Sequence, residues 1–276
     1  MKVSVIIVNH NAADCVRAAL RSLPAAAPGL ETESIVMDNS DAPQPITEAD
    51  VWESVPNNGF GAGCNAGAGK AAGELLLFLN PDTVLCPGAL KAAVNCLLET
   101  PGCGLTGLRT LRPDGSAEPG CLRGIPTPGR ALCYFAGLER LFPKSRLCGG
   151  YHMTWLPRDR TAEVDAVSGS FMLLRRELFE RLGGFDESFF MYGEDLDLCR
   201  RVQKAGLRVL YCAEGELLHL SGACGRNPRQ TSAFYDSMLL YYDKHLAAEY
   251  SRFTGAAVRF AVKLLRRRAM RRAAGA

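Results

Sequence analysis

Three short stretches and one histidine in this 276-residue chain combine residue types and spacing that could do chemistry. Asn80-Pro81-Asp82 holds a carboxylate on a stiffened turn, because the proline keeps Asn80 out of the helical region. A carboxylate held there suits Mg²⁺ or Mn²⁺, hard cations that take oxygen ligands and share phosphate oxygens. It would equally cap a following helix. Glu194, Asp195 and Asp197 crowd three acids into the start of an expected helix. The helix dipole favours acids there, but neighbouring carboxylates repel, so the group invites a base or cation-binding role for one of them. Asn57-Asn58-Gly59-Phe60-Gly61-Ala62-Gly63-Cys64-Asn65 would let backbone amides approach a phosphate at a helix start. Its Gly61-x-Gly63-x-x-Ala66 meets the loose dinucleotide fingerprint, and close helix packing would explain the same glycines. His219, in Leu217-Leu218-His219-Leu220-Ser221-Gly222, is either a satisfied core residue or a ligand at a strand end.

The elements that must position these residues are legible as apolar patterns. Residues 3–8 and 74–79 are continuous apolar runs, as is 34–37, and each reads as a strand buried on both faces. Residues 51–55 are a weaker strand candidate. Helical spacing is expected over 12–23 and 87–99. Strand–helix alternation over the first hundred residues predicts a parallel α/β sheet. In such sheets ligands sit at the carboxyl ends of strands, where Asn9, Asp38 and Asp82 follow buried runs. Residues 112–130, with four Pro and four Gly, read as a loop. A short helix over 131–142, a strand over 164–174 broken by Ser168-Gly169-Ser170, a helix over 193–205 and strands over 207–212 and 216–220 complete the pattern.

Composition bounds what these elements can be. Hydrophobic residues make up 47% and charged residues 22%, which excludes a disordered, collagen-like or membrane-spanning chain. None of the eleven cysteines forms a C-x-x-C pair, so a zinc ribbon or thioredoxin-type site is not expected, and scattered thiols fit a reducing compartment. The apolar start, Val3 to Val8, is too short for a signal-peptide core. From Arg252 onward there are eight basic residues and no acidic ones, leaving 24 basic and 29 acidic residues, a net of −5, in the remainder. Val258, Ala261, Val262, Leu264 and Leu265 give this tail an apolar side among arginines. Such a segment fits a helix lying on an anionic membrane surface, here the cytoplasmic face. No nucleic-acid partner is expected, since the chain supplies no module that reads one.

Taken in order, VSVIIVNHN, Asp38-Asn39-Ser40, NNGFGAGCN, LFLNPDT, AVSGSFMLLRRE, GGFDESFFMYGEDLDLCRR and LLHLSG resemble the family 2 glycosyltransferases, closest to their rhamnosyltransferase-like branch. The resemblance covers about residues 3–222. It implies an α/β chain of the GT-A type, the nucleotide-diphospho-sugar transferase fold, with a mostly parallel central sheet flanked by helices. It implies a catalytic domain over 1–225, with a nucleotide-binding half to about 110 and an acceptor-side half from 111, and a helical, basic extension over 226–276. Matched by position, Val8, Asn9 and Asp38 would lie at the donor's base and ribose, and Asn58 and Asn65 beside the nucleotide. Asn80 would stand at the first acid of the metal motif, facing ribose or a metal-bound water. Asp82 and His219 would hold a divalent metal, Mg²⁺ or Mn²⁺, and Asp195 would be the catalytic base. Ser168, Gly169, Ser170, Tyr192 and Glu194 would face the acceptor. The implied reaction is inverting transfer of a sugar, L-rhamnose from dTDP-rhamnose, onto a saccharide or lipid-linked acceptor in cell-envelope polysaccharide synthesis. The residues also leave open a UDP-sugar donor, an NAD-dependent oxidoreductase built on Gly61-x-Gly63-x-x-Ala66, and a non-catalytic sugar-binding protein.

Overall fold

A computed structural model describes residues 1–220 and 228–274. Ser221-Gly222, the expected boundary near 225 and the last two residues lie outside them. The first half alternates as expected: β1 (Lys2–Asn9), α1 (Ala13–Ala26), β2 (Glu31–Asp38), β3 (Val51–Ser54), α2 (Phe60–Ala68), β4 (Leu75–Leu79), β5 (Thr83–Leu85), α3 (Ala89–Glu99) and β6 (Cys103–Leu111). The second half is β7 (Leu122–Arg123), α4 (Pro128–Phe135), α5 (Leu138–Leu141), β8 (Ala162–Glu163), β9 (Ala166–Val167), β10 (Phe171–Arg175), α6 (Arg176–Arg181), α7 (Glu194–Lys204), β11 (Arg208–His219), α8 (Pro228–His245) and α9 (Arg252–Ala274).

The main sheet runs β3-β2-β1-β4-β10-β6-β11-β5, with β8 paired to β11. Strands β3, β2, β1 and β4 are parallel, as are β6 and β11. Strand β10 runs antiparallel to both neighbours. Continuous apolar runs were needed in β1 and β4 because helices cover both faces of the sheet. Val3, Val5 and Ile7 meet α1 and α3 on one face, while Ile6 and Val8 meet the side built by α2 and α7. Each such side chain, fully buried, stabilises the fold by roughly 1.5–3 kcal/mol.

Helix α2 lies unusually close to β1. A Cβ on Gly63 would stand 2.8 Å from Val8 Cγ2, and one on Gly67 would stand 2.5 Å from Ile6 Cγ2. The glycine-rich stretch is therefore a packing device, and the dinucleotide reading of Gly61-x-Gly63 falls with it. The strand expected over 164–174 with a break at 168–170 is two strands, β9 and β10, on either side of that turn. The two short strands expected over 207–220 are one, β11, with a register shift between Cys212 and Glu216. Strand β6 carried no clear strand signal because its glycines make room for neighbours; a Cβ on Gly107 would sit 2.5 Å from Val167 Cβ. The loop expected over 112–130 holds β7 and the first turn of α4, which Pro128 starts and Thr127 caps.

Candidate active site

The ends of β1, β4 and β11, the 168–170 turn and the start of α7 converge on a cleft of about 960 Å³. At one corner β5 and β11 pair antiparallel with His219 opposite Thr83, which sets Asp82 beside His219. His219 Nε2 lies 3.1 Å from Asp82 Oδ1, and Nδ1 lies 2.9 Å from Glu118 Oε2. Burial pulls the imidazole pKa down, but the hydrogen bonds to Asp82 and Glu118 outweigh it and push it up to about 10. Burial also opposes ionisation of Glu118, yet its hydrogen bond to His219 is the larger influence and lowers its pKa.

The donor set fits a hard divalent cation in part. Asp82 offers oxygen and His219 offers Nε2, with Glu118 fixing the ring through Nδ1 in the carboxylate–histidine arrangement that orients metal-binding imidazoles. Among the described residues no group of three His, Cys, Asp or Glu could hold an ion. Protein would thus supply two ligands, Asp82 and His219, and water or other oxygen donors the rest.

At the far side of the cleft Tyr192 and Gly193 both have positive φ, 67° and 87°, and turn the chain sharply into α7. The turn brings Asp195 to the cleft wall. Its Oδ2 accepts from Arg123 Nη2 and, at 2.9 Å, from the Gly169 amide. Its Oδ1 accepts from the Leu196 amide at 2.7 Å. Burial works against the charge on Arg123, but the Asp195 carboxylate alongside raises its pKa by more. Three hydrogen bonds thus hold the Asp195 side chain in one orientation. Glu194 also borders the cleft, yet its side chain is buried, and Oε2 has no hydrogen-bond partner. Burial first, and then the charge of Asp195, push its pKa up to about 8. Asp197 points into the protein. It bonds Arg201 Nε at 2.7 Å, and also His245 Nε2 at 2.7 Å and Lys244 Nζ at 2.6 Å on α8.

Val8, Asn80, Ser168, Gly169, Ser170 and Tyr192 line the cleft beside these groups. Four expected donor contacts do not. Asn9 and Asp38 border a separate hollow of about 390 Å³ and are used locally: Asn9 Oδ1 accepts from the Ala12 amide at 3.0 Å, and Asp38 Oδ1 from the Ser40 amide at 3.0 Å. Alternation along a strand explains this, since neighbours face opposite ways; Val8, His10 and Asn39 take the cleft side instead. Asn58 is exposed and Asn57 lines the cleft in its place. Asn65 pins the loop after α6, donating to Phe185 O and Glu187 Oε1 at 2.9 Å each and accepting from the Phe185 amide at 2.8 Å. Sequence reasoning missed Glu118, Arg123 and Asn39, whose buried Oδ1 has no partner. The first two lie in a stretch without periodicity.

The tail is also placed differently from expectation. Val258, Val262 and Leu265 of α9 line the cleft rather than face outward, and Ala261 borders it while exposed. Leu264 is exposed, together with Phe253 and Phe260. Ion pairs from Arg259 to Asp243 at 2.5 Å and from Arg266 to Asp236 at 2.9 Å tie α9 to α8. No helix among the described residues is long and apolar enough to cross a membrane.

The sequence matches the family model described as "Glycosyltransferase like family 2" over residues 2–271. It is 33% identical over 204 residues to the N-acetylglucosaminyl-diphospho-decaprenol L-rhamnosyltransferase of Mycobacterium tuberculosis, an overlap of 68% of this chain and 65% of that one. This chain thus spans about two thirds of that relative's length. It is 33% identical over 241 residues to the O-antigen biosynthesis protein RfbC of Myxococcus xanthus, covering 82% of this chain and 18% of that one. Among solved structures, S. aureus TarS aligns with TM-score 0.60 at 17% identity, covering 94% of this chain and 42% of TarS. The mannosyltransferase PcManGT from Pyrobaculum calidifontis, in complex with GDP-Man and Mn²⁺, aligns with TM-score 0.57 at 16% identity, covering 99% and 73%. At these identities the structural likeness establishes the GT-A fold.

Proposed function

The chain belongs to the family 2 glycosyltransferases, and from that premise we propose that it transfers L-rhamnose from dTDP-rhamnose to a hydroxyl of a lipid-linked saccharide, with inversion and with a divalent metal. The rhamnosyltransferase relatives support the sugar, and the name of the mycobacterial one supports a diphospholipid acceptor. The observation that carries the reaction type is the pairing, across one cleft, of the Asp82–His219–Glu118 corner with the oriented carboxylate of Asp195.

In this reading Asp82 and His219 would hold the metal, and Glu118, bonded to Nδ1, would keep the imidazole ring turned towards it. A bound metal supplies Lewis-acid stabilisation of the diphosphate that leaves with negative charge. Asp195 faces the acceptor and takes the proton of its hydroxyl as the oxygen bonds to the anomeric carbon and the bond to the diphosphate breaks. The Gly169 amide and Arg123 fix the rotamer of Asp195, so the base meets the hydroxyl already aligned. One base and one displacement invert the centre. His10 and Asn39, just beyond β1 and β2 at the cleft, would meet the nucleoside. The basic helix α9 would bring the enzyme to the cytoplasmic membrane face, where lipid-linked acceptors lie.

The test is a thermal-shift panel of nucleotide sugars with Mn²⁺ on the wild type and Asp82→Ala, since a ligand of the folded state raises its stability. A Mn²⁺-dependent shift with dTDP-rhamnose, lost in Asp82→Ala, is expected. An equal shift in EDTA and in the variant would remove the metal from the account, and a shift only with UDP-sugars would reassign the donor.

A further inference from the structure

Exposed large hydrophobic side chains are unevenly placed among the described residues. Apart from Met1 and Leu98 they fall in two segments: Leu132, Phe135, Leu141, Phe142 and Leu147 on and after α4–α5, and Phe253, Phe260 and Leu264 on α9. Phe253 is 89% exposed and Leu141 is 71% exposed, so these are not partly covered core residues. Both segments border the same cleft, which Leu132 and Phe135 line together with Ala261 and Leu265 of α9.

The two segments also share a charge. Residues 128–147 contain Arg140, Lys144 and Arg146, besides Arg130, which pairs with Asp165 at 2.9 Å, against a single acid, Glu139, which is bonded to His152 at 3.0 Å. Helix α9 adds Lys263, Arg267, Arg268 and Arg271, all exposed, and no acid. Apolar side chains interspersed with cations suit the boundary of a bilayer, where the first enter the acyl region and the second meet anionic headgroups. They suit a second copy of this chain poorly, because an isologous contact would set the cations of one protomer against those of the other.

We propose that α4–α5 and α9 together form a docking surface for an anionic lipid bilayer, with the catalytic cleft opening between them. The acceptor's hydrocarbon chain then stays in the bilayer while its sugar reaches Asp195. That last clause rests on the lipid-linked acceptor argued above; the docking surface does not. What is new is the 132–147 segment, which makes the surface two-sided and places the cleft mouth on it.

The test is co-sedimentation of the full chain with vesicles of phosphatidylcholine with or without phosphatidylglycerol, with no nucleotide sugar present. Leu141→Glu/Phe142→Glu and Phe253→Glu/Phe260→Glu replace exposed side chains outside the cleft lining, and Arg267→Glu/Arg268→Glu changes charge alone. Wild type should prefer the anionic vesicles, and each double variant should bind them at least about tenfold more weakly. All three should keep the wild-type melting temperature and turnover on a water-soluble acceptor. Unchanged vesicle binding by Leu141→Glu/Phe142→Glu would remove α4–α5 from the surface. Equal wild-type binding to neutral and anionic vesicles would overturn the proposal, as would a wild-type dimer in sedimentation velocity that these substitutions split. Intact vesicle binding without glycosyl transfer would instead refute the transferase reading and leave the surface standing.

Discussion

Asp195→Asn keeps the shape of the side chain and an oxygen for Arg123 and the Gly169 amide, but it cannot take a proton. Turnover should fall by about 10²–10⁴-fold, the usual contribution of a positioned base, with donor affinity unchanged because Asp82 and His219 stand elsewhere in the cleft. A variant with near-normal kcat would move the base to another group. Glu194 gives a pH signature. Its pKa is pushed up to about 8 from an ordinary 4.5, so between those values the folded protein keeps a proton that the unfolded chain releases. Stability is then lost as pH rises through that window, by up to about 1.4 kcal/mol per unit for a single group, and is level above it. Glu194→Gln has no such proton to keep, so its melting temperature should exceed that of the wild type by a margin that grows from pH 5 to pH 8. A constant margin would contradict the assignment. Asp82, His219 and Asp195 could be found in the sequence because each sits at a strand end or helix start within a recognisable order of motifs. Glu118 and Arg123 could not, since their partners lie 101 and 72 residues away and only the tertiary fold joins them.

Helix α2 shows how an element can be legible while its purpose stays open between two readings. The glycines opening it were compatible with a phosphate cradle, and only their distance from β1 decides that they are there for packing. Gly67→Ala should therefore cost about 1–3 kcal/mol in chemical denaturation, as overpacking does, because the new Cβ would stand 2.5 Å from Ile6 Cγ2 in a fully buried layer. Gly69→Ala, where the nearest atom is 3.4 Å away, should cost little. Equal stability of the two variants would mean that α2 does not lie this close to the sheet. Strands β1 and β4 were legible because burial on both faces demands an unbroken apolar run. Strand β6 was not, because its glycines trade strand propensity for the space that Val167 and Leu207 occupy. Helix α9 was legible as amphipathic, but a periodicity cannot say which apolar stripe meets protein. Val258, Ala261 and Leu265 meet the cleft, and the aromatic stripe of Phe253 and Phe260 is left outside.

The sheet order assembles the candidate site from distant parts of the chain: β1 and β4 end at one side of the cleft, β11 returns His219 beside Asp82, and α7 faces them with Asp195. Motif order could suggest that these residues meet, but not that α8 and α9 would wrap back, with Asp197 tying Lys244 and His245 to α7. In the proposed reading the chain's parts act as one transferase, whose cleft would take a metal-held nucleotide sugar and an acceptor from the membrane side. The most direct test of that claim is the anomeric configuration of the product, read by proton NMR, when purified full-length protein is given dTDP-rhamnose, Mn²⁺ and an N-acetylglucosaminyl diphospholipid. The account predicts a rhamnosylated lipid of configuration opposite to the donor's, formed only with metal. A product of retained configuration, or dTDP-rhamnose returned unchanged, would contradict it.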